Sequence, residues 1–183
     1  NGGTNCLLSP GAPIAASEFG VINAWDWTDT STFWIGSANT VANATTAKVY
    51  KTVNGFGGGG WTSATLPGTG GTAGLYYQAI AFSNATNGMA GSNGNDIKKT
   101  TDGGTTWTTV TPPSGLTAFA TISMNSIKDG SGTIRMSAND GTSYFCYRTT
   151  NLGVVWTQET LPAAGITNGI QHMQFINATL GFS

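Results

Sequence analysis

The residue best placed by its neighbours to do chemistry is Asp102, in the run TTDGGTTW at positions 100–107. A carboxylate among hydroxyls and glycines can act as a general acid or base, or it can clamp a turn by accepting backbone N–H groups. Its prospective partners decide between these roles. Glycoside hydrolysis needs a second carboxylate within reach, yet Glu18 and Glu159 lie far apart and Glu159 falls on an expected outer strand. Binding an acidic substrate calls for clustered arginines, and the chain holds only Arg135 and Arg148. His172, the single histidine, sits in an alternating segment where a partly buried structural residue is expected. Asp26 and Asp29 in WDWTDT are near enough for a carboxylate pair, although a solvated turn is the simpler expectation. The glycine run at 57–60 lacks the lysine and helix of a phosphate loop. No His, Cys or carboxylate cluster has metal-ligand spacing, so neither metal nor cofactor is expected. A turn clamp is the better reading of Asp102.

The elements that must position these residues repeat. TTNLGVVW at 149–156 and TVNGFGGGGW at 52–61 are weakened copies of the run, the latter stretched by two residues. Trp61, Trp107 and Trp156 lie 46 and 49 residues apart, the length of one four-stranded propeller blade. Pro67, Pro113 and Pro162 each stand six residues further on. The aligned copies mark Thr52, Asn54 and Trp61; Thr100, Asp102, Gly104, Thr106 and Trp107; and Thr149, Asn151, Gly153 and Trp156 as one recurring turn element. Alternation predicts strands at 21–28, 33–37, 47–53 and 60–65, then 75–83, 89–92, 97–101 and 106–112, then 119–125, 133–138, 144–150 and 154–160. No helix is predicted. The fold class is all-β, with an N-terminal segment at 1–20, blades at 21–67, 68–113 and 114–162, and the start of a fourth at 163–183, where NATLG repeats the earlier NATNG. Three and a half blades leave sheet edges open, so the chain is expected to run on past Ser183 into a ring of about seven blades. Pairing of two copies is the alternative.

Composition narrows the function. Charged residues make up 8% of the 183, against about 25% in ordinary domains. With seven Lys and Arg and a net charge of −1, no basic patch for nucleic acid can be assembled. No apolar run reaches membrane-spanning length, so membrane insertion is not expected. The first residue is Asn1, which fits a processed, exported chain. Cys6 and Cys146 either pair across 140 positions or remain free thiols. The NAT sequons at Asn43, Asn84 and Asn177 read as turns where two share one repeat position.

TTDGGTTW matches every position of the Asp-box, so the chain resembles the bacterial neuraminidase repeat of sialidase-type and sortilin-type propellers. The fuller unit, with a strand ending in FxNATxG, is most similar to the photosystem II stability/assembly factor family of repeats, which recur in large secreted bacterial surface proteins. The resemblance spans about 21–183. It implies a structural box, in which Asp102 holds the turn, Gly103 and Gly104 take positive φ, and Trp107 packs inward. It implies a non-catalytic, secreted or cell-surface module, adhesin-like or carried by type IX secretion, binding an unknown protein or glycan as part of a longer chain or larger surface complex. An assembly-factor role is the second reading, although that family's arginine-rich face is not supplied by two arginines. A fragment of a sialidase-like hydrolase is the third, and lacks the arginine triad. Trp25, Trp27, Tyr76 and Tyr77 are the candidate binding aromatics, with inner-strand packing the expected alternative for each.

Overall fold

The structure, a computed structural model, describes residues 18–39, 48–55, 60–66, 77–92, 96–116, 119, 121–160, 173–175, 177, 179 and 181–182. Short alternating segments separated by Gly, Asn and Asp turns pair with their sequence neighbours, because connections of about four to nine residues favour adjacent antiparallel pairing. The result is three antiparallel meanders. The first contains β1 (Glu18–Trp27), β2 (Phe33–Asn39), β3 (Lys48–Thr52) and β4 (Thr62–Thr65). The second contains β5 (Tyr77–Phe82), β6 (Gly88–Ser92), β7 (Ile97–Thr100) and β8 (Thr108–Val110). β9 (Thr121–Asn125), β10 (Ile134–Asn139), β11 (Tyr144–Thr149) and β12 (Thr157–Glu159) make the third, and β13 (Gln174–Phe175) pairs with β14 (Gly181–Phe182). The four-stranded antiparallel blades expected of a propeller are therefore present, and the described residues contain no helix.

Blades pack face to face, with β1 against β5 and β5 against β9. The middle blade shows why. Its inner strand alternates, sending Ile80 and Phe82 into a core with Ala24, Trp34, Val49 and Leu66 of the first blade. Ala79 and Ala81 point the other way, into a core with Ile122, Met124, Ile134 and Met136 of the third. Burial on both faces explains why YQAIAF reads as a nearly continuous apolar run. Trp34 stacks on Phe82 at 3.7 Å between ring centroids, which fixes the contact between the first two blades.

The turn after each inner strand is clamped by one side chain. Asp29 Oδ1 accepts from the N–H groups of Ser31 and Thr32, both at 2.8 Å. Asn84 Oδ1 accepts from Thr86 and Asn87, Asp129 Oδ1 from Ser131, and Asn177 Oδ1 from Thr179. These are Asx turns, and they give the NAT sequences at Asn84 and Asn177 a structural reason that needs no glycan.

Candidate functional site

The box residues build a second kind of turn, between the third and fourth strands of each blade. Thr100 Oγ1 accepts from Gly104 N at 2.9 Å and donates to Asp102 Oδ1 at 2.8 Å. Asp102 Oδ1 accepts from Thr105 N and Thr106 N, and Oδ2 accepts from Thr106 Oγ1 at 2.6 Å. Gly103 and Gly104 have φ of 72° and 92°, the left-handed region open to glycine. The Thr106 bonds lower the Asp102 pKa to about 2, so this carboxyl stays ionised and holds no proton to give. It is exposed and does not line the groove described below. Such geometry holds a turn.

The neighbouring copies vary this plan. In the third blade Thr149 Oγ1 accepts from Gly153 N and donates to Asn151 Oδ1, both at 2.9 Å, and Asn151 Oδ1 accepts from Val155 N. In the first, Asn54 N donates to Thr52 Oγ1 at 3.1 Å, and Trp61 is partly buried after the lengthened loop. Boxes also join blades. Trp34 Nε1 of the first blade donates to Gly103 O at 3.0 Å, and Trp156 Nε1 of the third donates to Thr111 O of the second at 3.2 Å. Trp107 Nε1 instead bonds its own turn at Gly104 O.

The surface feature with binding character lies elsewhere. A groove of about 270 Å³ opens where the ends of β1, β9 and β13 converge, lined by Trp25, Asp26, Trp27, Asn125, Lys128 and Phe175. Trp25 and Trp27, two apart on one strand, share a face and stack at 5.1 Å with planes 14° apart. They are 45% and 42% exposed. The expectation of core packing is corrected for both: they stand on the face of β1 opposite Ala24 and Asp26, which turn toward the second blade. The solvated turn expected at Asp26 and Asp29 holds for Asp29 and is corrected for Asp26. It is buried, accepting from Phe82 N at 2.6 Å and from Lys128 Nζ at 2.8 and 3.0 Å. Burial raises its pKa, a stronger effect than the opposing attraction of the Lys128 ammonium and the Phe82 N–H.

Lys128 was not among the residues singled out from sequence, though its signal is there. Inner strand and turn clamp read W-T-D at 27–29, F-S-N at 82–84 and F-I-N at 175–177, but N-S-I-K-D at 125–129. The third blade inserts two residues, and one is this lysine, held at φ 56°. Its ammonium also donates to Ser126 O at 3.2 Å and lies 5.9 Å from the Trp27 ring centroid. Asn125 takes the place of the aromatic that ends the other inner strands, and its Oδ1 accepts from Phe175 N at 3.0 Å. Behind Phe175, the Arg135 guanidinium stacks 4.1 Å from the ring centroid.

The remaining candidates are structural. Tyr77 is buried, and its hydroxyl donates to Asp96 Oδ2 at 2.9 Å, with burial holding its pKa far above the usual phenol range. Arg135 and Arg148 both pair with Glu159, at 3.1 and 3.4 Å, and so face a carboxylate of their own blade. Cys146 is a buried thiol 3.7 Å from Glu159 Oε2, pushed up to about 12 by burial and that carboxylate. Its prospective partner Cys6, like His172, Tyr76, Asn43 and positions 57–59, lies outside the described residues. Among the described residues no three His, Cys, Asp or Glu side chains could hold a metal ion.

No family model matches the chain, and no curated protein does. Solved structures similar to the chain include two of YCF48. "YCF48 bound to D1 peptide" aligns with a TM-score of 0.53 and 19% identity, over 85% of this chain and 46% of that one. YCF48 from Cyanidioschyzon merolae aligns with a TM-score of 0.50 and 16% identity, over 78% of this chain and 40% of that one. The chain thus spans less than half the length of these solved chains. At such identity the likeness is one of fold, and the sheets of this chain are blades of the β-propeller type.

Proposed function

We propose that this chain is a non-catalytic propeller module that binds a protein partner through the Trp25–Trp27 groove. The observation that carries the reading is the pair of stacked, half-exposed tryptophans beside an ammonium, the only aromatics among the described residues that stand exposed. Tryptophan is the side chain most enriched where binding energy concentrates. The solved structure of YCF48 is described as bound to a D1 peptide, which supports a peptide over a glycan as partner for a fold of this kind. We further propose that the chain is exported to the cell surface or medium as part of a larger assembly. The 8% charge content favours this.

An assembly-factor role is the second reading, favoured by the likeness to YCF48. It is weakened by the commitment of both arginines to Glu159. A random peptide library displayed on phage and selected on the full chain tests the binding reading. Selected peptides should bind the W25A/W27A variant at least about tenfold more weakly. Peptides that bind both proteins equally would refute the groove as the site.

A further inference from the structure

The groove has a chemical bias that its aromatic content alone does not reveal. Asp26 and Lys128 are the two charged residues among those described along its lining. They are layered rather than side by side. The Asp26 carboxylate is the inner member, its side chain 10% exposed and bonded to Phe82 N behind it. The Lys128 ammonium is the outer member, 23% exposed, with the Trp27 ring beside it. A ligand entering from solvent therefore meets the cation first. Arg135 stacks on Phe175, which lines the far wall, and pairs with Glu159 on β12.

Resting on the binding reading above, we propose that the groove selects an acidic peptide segment: a side-chain carboxylate on Lys128, next to an apolar side chain on the Trp25–Trp27 stack. Three features support the match. The ammonium is desolvated on its inner side by Asp26 and on one flank by Trp27, so an incoming carboxylate is attracted in a lower dielectric than bulk water provides. The proton now shared with the Ser126 carbonyl at 3.2 Å is the weakest of its bonds and the one a carboxylate can take over. The indole pair is already stacked, so it offers a rigid apolar surface with little ordering left to do on binding. A neutral sugar would use the indoles but bring no charge to the ammonium.

Three capped, fluorescein-labelled pentapeptides test this on the full chain by fluorescence anisotropy: Gly-Glu-Phe-Glu-Gly and its Gln-for-Glu and Lys-for-Glu counterparts. The acidic peptide should bind about fivefold more tightly than the Gln peptide at low salt, with the preference shrinking at high salt. Lys128→Met should bring the two within about twofold of each other. Asp26→Asn keeps an oxygen for the buried Phe82 N, gives up the Trp27 N–H bond at its other oxygen, and removes the charge that balances the ammonium, so it should tighten the acidic peptide by about fivefold. The opposed signs separate charge recognition from simple damage to the fold. Peptides that bind without regard to charge, or variants that both weaken binding equally, overturn the inference while leaving the binding reading intact. Binding of N-acetylneuraminic acid with none of any peptide overturns both.

Discussion

Asp102 and Asn151 occupy the same place in adjacent blades and hold nearly the same turn. The threonine bond to the second glycine N–H is 2.9 Å in each. The bond from the same threonine to the Asx oxygen is 2.8 Å in one and 2.9 Å in the other. They part at the far end. Asp102 Oδ2 accepts from the Thr106 hydroxyl at 2.6 Å, whereas the third blade has Val155 there. An aspartate at 151 would have no hydroxyl for its second oxygen. The comparison separates what makes the turn from what merely strengthens it: threonine and glycine make it, and the carboxylate adds bonds where a hydroxyl is waiting.

The largest test bears on the glycines. A Cβ at Gly153 would strike Val110 and lie 3.1 Å from Met89 Cε, whereas one at Gly104 would come within 3.1 Å of Trp34 Nε1. Both positions also have positive φ. Gly153→Ala should therefore cost about 3 kcal/mol and Gly104→Ala about 2 kcal/mol in urea unfolding. The reverse order would mean that the two turns are seated otherwise. Thr100→Val and Thr149→Val come next, each leaving a buried glycine N–H without an acceptor and costing about 1.5 kcal/mol. A clear inequality between them would break the equivalence of the two turns.

Smaller effects sharpen the role of charge. Asp102→Asn should cost only about 0.5–1 kcal/mol at neutral pH, since the site is exposed and screened. Because the Asp102 carboxyl titrates at about 2 in the fold, below the ordinary value of about 3.9, its stabilisation is complete above that value. It drains away as pH falls toward 2. D102N should flatten that acid limb in a pH series of unfolding midpoints. Asp26 acts in the opposite sense: its raised pKa favours the fold at low pH, and that advantage is lost as pH rises through its folded pKa. Smallest of all, Asn151→Asp alone should change stability by no more than a few tenths of a kcal/mol, with a further gain of about 0.5 kcal/mol once Val155→Thr is added. A double variant that only sums its parts would show that the hydroxyl is irrelevant.

The blades were legible because their signal is redundant. Three copies of a turn at near-constant spacing, each followed by a proline, fix the strands between them to within a few residues. The groove was harder to read. Trp25 and Trp27 look from sequence like any inner-strand aromatics; which face of β1 finds a neighbour is decided by Trp34 and Ala24 meeting Phe82 and Ile80 from about 50 residues away. Asp26 looked like a turn residue because the lysine that pairs with it lies 102 positions downstream. What the sequence did carry was an irregularity, the two extra residues before Asp129. In a repeat chain, the copy that breaks the spacing is the one to examine for binding chemistry, because regular copies already serve packing.

The seating of each box on the blade before it gives the chain a direction of assembly. Gly104 of the second blade lies against Trp34 of the first, and Gly153 of the third against Met89 and Val110 of the second. Each blade's exposed face is therefore finished by sequence made after it. In a polypeptide that emerges from the ribosome amino end first, such a ratchet lets every unit wait only for its immediate successor. Backward steps are discouraged once a tryptophan N–H has found the later carbonyl, as Trp34 does at Gly103.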